Sequence, residues 1–229
     1  MIAVVMPVVN CEAYTEAALK SLNSTREHTE IIVIDNASTD GTPDMLRAFK
    51  AVDPFLSVLR QEKNIGVAAS WNLGIRRAFN MGCDPVIVAN NDIVCARDTI
   101  DALVDAMRAN ESFGLLSARS VAIPSPDGLD VCVRSHYVLE GPVDFCLFAI
   151  RPSTFAIVGD FDEDFWPAYY EDRDYIERMR RARLSFGMAY SALVFHHGSR
   201  SIREGGVKNY PYFKANQRRF LAKHPTATL

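Results

Sequence analysis

Three apolar runs, IAVVMPVV at 2–9, IIVI at 31–34 and VIVA at 86–89, restrict this chain more than any other feature. None alternates with polar residues, so each reads as a strand covered on both faces, as in a parallel sheet between helices. Helical patterns fill the gaps. EAYTEAALKSL (12–22) places Tyr14, Ala17, Ala18 and Leu22 on one face, Thr42 can cap a second helix with Pro43 at its first position, and VAASWNLGIRRAF (67–79) should stop near Gly82. DTIDALVDAMRA (98–109) starts with Asp98 as a cap, and EDRDYIERMRRARL (171–184) restores a helix after a stretch, 118–145, of turns and short extended pieces that includes IPSPDGLD. The last twenty residues read equally as a packed helix or a tail, and no internal repeat is present. Strand and helix alternate, which predicts an α/β/α sandwich of Rossmann type around a mostly parallel central sheet.

Size and composition agree with one large domain, since 229 residues with 48% hydrophobic content can bury a sizeable core. No apolar run approaches the ~18 residues of a membrane span, and MIAVVMPVV lacks a basic flank and a cleavage site. No transmembrane segment is expected, and the cytoplasm is the expected location. Five cysteines, with no CxxC pair and no Cys/His cluster in the sequence, argue against a disulfide framework and against a zinc site. The net charge of −3 hides an asymmetry: from Arg173 onward there are twelve Arg or Lys against three Asp or Glu. Such a segment suggests an anionic partner, or a solvated helix face with a basic tail.

Each early run ends in polar residues: Asn10 after the first, Asp35 and Asn36 after the second, Asn90, Asn91 and Asp92 after the third. In a parallel sheet these ends share one edge, where ligands bind. Asp35, in IDNASTDGT, can also make a turn through its side chain. A dinucleotide-binding dehydrogenase needs G-x-G-x-x-G after the first strand, and MPVVNCEAY has no glycine; the glycine-rich basic loop of a nucleotidyltransferase is missing too.

These stretches, in this order, resemble the family 2 glycosyltransferases of GT-A fold. VVMPVVN is similar to that family's first strand, IIVIDNASTDGT to its second, NIGVAASWNLGI to the segment closing over the nucleotide, NND to its metal motif, VGDFDEDFWPAYYEDRDYIERMRRA to its acceptor-side block, and VFHHGSRS follows. The resemblance implies a single domain over 1–229, with a nucleotide-sugar half over roughly 1–95, an acceptor half over roughly 96–205 and a basic segment over roughly 206–229. It implies that Pro7, Val8, Asn10, Asp35, Asn36, Asn64, Gly66, Asn72, Asn90 and Asn91 bind a nucleoside diphosphate sugar, UDP- or dTDP-linked. Asp92 matches the last aspartate of the D-x-D motif and Asn90 stands in place of the first, which removes one negative charge from the metal's surroundings. His196 matches the family's histidine, with His197 in reserve; oxygen ligands suit Mn²⁺ or Mg²⁺, and an imidazole favours Mn²⁺. Asp172 matches the catalytic base of an inverting, single-displacement transfer, Glu171 supports the helix start or the acceptor, and Trp166 and Tyr169 are placed to stack on an acceptor sugar. The resemblance allows a lipid-linked sugar, a polysaccharide or a modified DNA base as acceptor, with peripheral membrane contact, and an inactive sugar-nucleotide binder is the non-enzymatic alternative.

Overall fold

The computed structural model describes residues 1–22, 29–121, 137–198 and 209–227, without the side chains of 209 and 210. The three apolar runs form β1 (Ile2–Val8), β2 (Thr29–Asp35) and β4 (Val86–Ala89), joined by a strand with no comparable apolar run, β3 (Leu56–Arg60). All pair in parallel in the order β3-β2-β1-β4. Helices α1 (Glu12–Leu22), α2 (Thr42–Val52) and α3 (Val67–Asn80) connect them. The remaining described elements are β5 (Ile93–Cys95), α4 (Thr99–Ala109), β6 (Phe113–Ser120), β7 (Val138–Glu140), β8 (Leu147–Ile150), α5 (Pro152–Val158), a short 3-10 helix (Glu163–Phe165), α6 (Glu171–Arg181), β9 (Ser185–His196) and α7 (Asn209–Lys223).

Beyond β4 the sheet continues as β8-β6-β9-β5, with β7 also on β9. Here the pairing is mixed: β6 runs parallel to β9, whereas β4–β8, β6–β8, β5–β9 and β7–β9 are antiparallel. The mostly parallel sheet expected is thus uninterrupted in the N-terminal half, whereas the C-terminal half mixes one parallel pairing with antiparallel ones. An antiparallel neighbour presents its beginning, rather than its end, at the edge where the parallel strands finish. The residues just before β8 therefore join the site edge.

Alternate residues of the strands feed two cores. Ile2, Val4, Met6 and Val8 of β1 pack with Leu19 and Leu22 of α1, Leu46 of α2 and Leu103 and Met107 of α4. Ala3 and Val5 face the other way, toward Trp71 and Ile75 of α3 and Tyr175 and Met179 of α6. This is the period-two alternation of a sheet buried on both faces.

Details at the helix starts differ from the sequence reading. The buried stripe of α1 is Thr15, Ala18, Leu19 and Leu22, turned from the expected one because the Thr15 hydroxyl is drawn inward, donating to the Cys11 carbonyl (3.1 Å) and accepting from Asn91 (2.9 Å). Thr42 is not the cap of α2; the Asp40 carboxylate accepts from the Thr42 amide at 3.0 Å. Asp98 precedes α4 as expected but makes no side-chain capping bond. IPSPDGLD lies outside the described residues. Among those described, no helix is long and apolar enough to cross a membrane.

Helix α3 lies so close to β1 that a Cβ on Gly74 would stand 2.1 Å from Val5 Cγ1. Gly74→Ala gains helix propensity of up to ~1 kcal/mol, but overpacking costs typically ~1–3 kcal/mol. The variant is expected to unfold at lower urea concentration with an unchanged m-value.

Candidate active site

The parallel strands end at a cleft walled by Pro7, Val8, Asn36, Asn64, Gly66, Asn90, Asn91, Asp92, Tyr169, Glu171, Asp172 and His196, among others. Backbone geometry explains much of this convergence. The Asn36 amide donates to the Val8 carbonyl at 2.8 Å, continuing the β1–β2 ladder past its end. Asn36, 4% exposed, is spent on structure: its Oδ1 accepts from the Ile65 amide (3.2 Å) and its Nδ2 donates to Ser70 (2.9 Å). Asn64 Oδ1 accepts from the Gly66 amide at 2.8 Å, and its carbonyl accepts from the Trp166 indole at 3.3 Å. Gly66 has φ 89°, and a Cβ there would stand 2.7 Å from Trp166 Cδ1. Only glycine permits that contact between the loop before α3 and the loop before α6.

Three expected donor-side residues do not line the cleft. Asp35 sits behind it, paired with Arg60 and accepting from the Ser38 amide at 2.9 Å, which is its turn-making role. Asn10 Oδ1 accepts from the Thr39 amide at 2.7 Å and orders the loop before α2. Asn72 is 1% exposed and exchanges two hydrogen bonds of 2.8 Å with the backbone of Phe161, tying α3 to the segment before α6.

The far wall is polar and holds metal-ligating groups. β5 pairs antiparallel with β9 so that Ile93 faces His196, and the His197 amide donates to the Asp92 carbonyl at 2.9 Å. That register sets His196 Nε2 3.2 Å from Asp92 Oδ1. Successive strand residues point to opposite sides, so the His197 ring instead packs on Tyr14 and Phe195, with centroids 4.9 and 4.7 Å away. Burial alone would lower the His196 pKa, but the hydrogen bond and charge of Asp92, with Asp144 beyond, hold it above the usual imidazole value. Asp144 and Cys146 were not foreseen. They enter because the Asn90 amide donates to the Cys146 carbonyl at 2.8 Å, extending the β4–β8 ladder. Ligand atoms of Asp144, Cys146 and His196 lie within 4.8 Å of one another. With Asp92 beside His196, two carboxylates and an imidazole suit a divalent cation of the Mn²⁺ class.

A further wall of the cleft is the start of α6. Asp172 is half-buried there. Its Oδ1 accepts from the Arg173 amide at 2.7 Å. Burial raises its pKa, partly offset by backbone hydrogen bonds and by the charge of Arg173. Glu171 is deeper, 6% exposed, and its Oε2 is buried with no hydrogen-bond partner among the described residues. Burial and the adjacent Asp172 charge push its carboxyl well above the ordinary range. Of the two neighbouring carboxyls, Glu171 is pushed harder toward its protonated form, being the more deeply buried and facing the charge of Asp172.

The loop before α6 is held from α7, which the sequence left undecided. Asn216, 3% exposed, directs Nδ2 at the carbonyls of Phe165 and Ala168, both at 2.9 Å. His224, fully buried, bonds Asp174 at 2.8 Å, and Lys223 reaches Asp174 and Asp162 at 2.7 Å. Arg219 pairs with Asp164 at 2.7 Å. Among the described residues of the basic C-terminal region, Arg178, Arg219 and Lys223 thus pair with Asp162, Asp164 and Asp174. Trp166, 41% exposed, meets Tyr212 edge-on at 5.1 Å, and Tyr169 meets Phe213 at 5.4 Å.

Comparison with known proteins gives consistent matches. The sequence profile described as Glycosyl transferase family 2 matches residues 3–127. The chain is 30% identical over 232 residues to an N-acetylglucosaminyl-diphospho-decaprenol L-rhamnosyltransferase of Mycobacterium tuberculosis, covering 82% of this chain and 73% of that one. It is 34% identical over 79 residues to a protein named for teichuronic acid biosynthesis, TuaG of Bacillus subtilis, but spans only 31% of that relative's length. Among solved structures, the mannosyltransferase PcManGT from Pyrobaculum calidifontis, in complex with GDP-Man and Mn²⁺, superposes with a TM-score of 0.69 at 19% identity, over 100% of this chain and 65% of that one. TarS of Staphylococcus aureus in complex with UDP gives 0.64 at 15%, over 99% and 72%. These likenesses place the fold with the GT-A glycosyltransferases.

Two outcomes follow from the geometry. Asn216→Ala should lower kcat/KM for the acceptor by ~10-fold or more, as a slight misplacement of reacting groups does, while leaving the donor Kd near its original value. Glu171→Gln should stabilise the fold in a pH-dependent way. A carboxyl whose native pKa is raised contributes stability that is full below its ordinary value of 4.5 and is lost as pH rises through the native value. The Tm difference between variant and parent should be small in acid and grow toward neutrality, at about 2–4 °C per kcal/mol for a domain of this size.

Proposed function

The chain belongs to glycosyl transferase family 2, and from that premise we propose that it moves a sugar from a nucleoside diphosphate sugar to an acceptor hydroxyl by a single displacement with inversion, dependent on a divalent metal. The observation that carries this reading is that one cleft presents Asp92 and His196 on one wall and Asp172 on another. The donor lies along Pro7, Val8, Asn36, Asn64, Asn90 and Asn91 at the ends of β1, β2 and β4. Asn90, half-exposed with its backbone tied to Cys146, has a free amide suited to a ribose hydroxyl. Asp35, Asn10 and Asn72 act behind this wall by fixing the loops. A divalent ion held by Asp92 and His196, with Asp144 alongside, would offset charge gathering on the departing diphosphate.

Asp172 takes the proton of the attacking acceptor hydroxyl. Its raised pKa makes it a stronger base than an exposed aspartate, while the amides of the helix start favour its ionised form. Glu171, its carboxyl pushed well above the ordinary range, is placed to donate a hydrogen bond to the acceptor. Trp166 and Tyr169 border the acceptor approach. A lipid-diphosphate-linked saccharide is the favoured acceptor, supported by the similarity to the decaprenol-dependent rhamnosyltransferase over most of both chains.

Calorimetry with UDP, dTDP and GDP in the presence of Mn²⁺ tests the donor assignment; binding of a pyrimidine diphosphate is expected, and no binding at millimolar concentration would end this reading. Asp172→Asn should keep donor affinity while turnover falls ~10²-fold or more. Asp92→Ala should abolish metal-dependent donor binding, and His197→Ala should leave it close to wild type.

A further inference from the structure

Among the described residues at the cleft, Cys146 is a metal-ligating group to which the proposed sugar transfer gives no part. It opens toward the site just ahead of β8, 2% exposed, with its amide donating to Asp144 Oδ1 at 3.0 Å. The Asp144 amide in turn donates to Ser117 at 3.0 Å, so the pair is rigidly mounted. Asp144, Cys146 and His196 have ligand atoms within 4.8 Å of one another, and Asp92 Oδ1 is 3.2 Å from His196 Nε2. Donors around a tetrahedral ion stand roughly 3.3–3.8 Å apart, so the Asp144, Cys146 and His196 donors stand only slightly wider than an ion would draw them. The sequence hid it: Cys146 and His196 are fifty residues apart, and only the β4–β8 and β5–β9 registers bring them together.

We propose that Asp92, Asp144, Cys146 and His196 form a thiolate-containing site that captures Zn²⁺ and so inhibits the enzyme. This rests on the metal-dependent reading of the same cleft and adds a second, competing ion to it. Zn²⁺ displaces the thiol proton: the S–H bond breaks, a Zn–S bond forms and the proton passes to solvent, with no change of oxidation state. A hard ion such as Mn²⁺ gains little from sulfur and uses the carboxylates and imidazole, whereas Zn²⁺, softer and higher in the Irving–Williams order, recruits the thiolate. Four protein donors then complete the tetrahedron. A closed set of that kind leaves no position for a diphosphate oxygen.

Cobalt(II) added alone to metal-free protein should produce the near-ultraviolet sulfur-to-cobalt absorption of a thiolate complex. Cys146→Ser should lose it; Cys95→Ser, which removes a buried thiol bonded to Ser21, should keep it. The ratio of Zn²⁺ to Mn²⁺ affinity should fall ~10-fold or more in Cys146→Ser. X-ray absorption of the Zn²⁺-loaded wild type, which needs no variant, should show one sulfur at about 2.3 Å. A first shell of nitrogen and oxygen only, or a cobalt band that survives in Cys146→Ser, overturns the proposal. Mn²⁺ binding by paramagnetic resonance separates the two readings: no Mn²⁺ binding with the cobalt band present sinks metal-dependent transfer alone, and Mn²⁺ binding with no band sinks the zinc site alone.

Discussion

The site depends on two antiparallel registers laid beside a parallel sheet. β4 pairs in parallel with β1 on one side and antiparallel with β8 on the other, and Ala89 opposite Leu147 fixes Asn90 against Cys146. β5 repeats the device with β9, setting Asp92 beside His196. Because strand side chains alternate, a slip of one residue in β9 would exchange His196 for His197 and point the wrong ring at the cleft. The choice between adjacent histidines is therefore made by backbone hydrogen bonds remote from the chemistry.

A second dependence runs through the C-terminal helix. The loop 165–170 carries Trp166 and Tyr169 and ends in two residues of positive φ, Tyr169 and Tyr170. Its carbonyls converge on Asn216, and its flanks are pinned by Arg219, Lys223 and His224. A buried carboxylate such as Asp174 is costly unless paired, and here Arg178, Lys223 and His224 surround it, lowering its pKa despite burial. The arrangement uses part of the basic excess seen in the sequence to clamp the loop before α6 and the first turns of that helix.

What was legible in the sequence was local. Continuous apolar runs ending in Asn10, Asp35–Asn36 and Asn90–Asp92 gave the parallel half of the sheet and the edge where a ligand would sit, and the resemblance nominated Asp92, Asp172, Glu171 and His196, which the fold gathers at one cleft. The mixed half was not legible, because β6 to β9 pair across long separations and carry no uniform pattern. Asp144, Cys146 and Asn216 escaped for the same reason: each gains its place from a partner strand or helix far away in the chain. Asp35 and Asn72 illustrate the converse. Their polar side chains sit at suggestive positions, yet Arg60 and the backbone of Phe161 already occupy them. A polar residue at a strand end marks the neighbourhood of a site without showing which way it faces.

In the proposed reaction one carboxylate, Asp172, activates the acceptor across the cleft from the donor, with no covalent sugar–enzyme intermediate. The anomeric configuration of the product, read by NMR against that of the donor, tests this. Inversion is expected. A product that retains the donor's configuration would contradict it, whatever the effect of substitutions at Asp172.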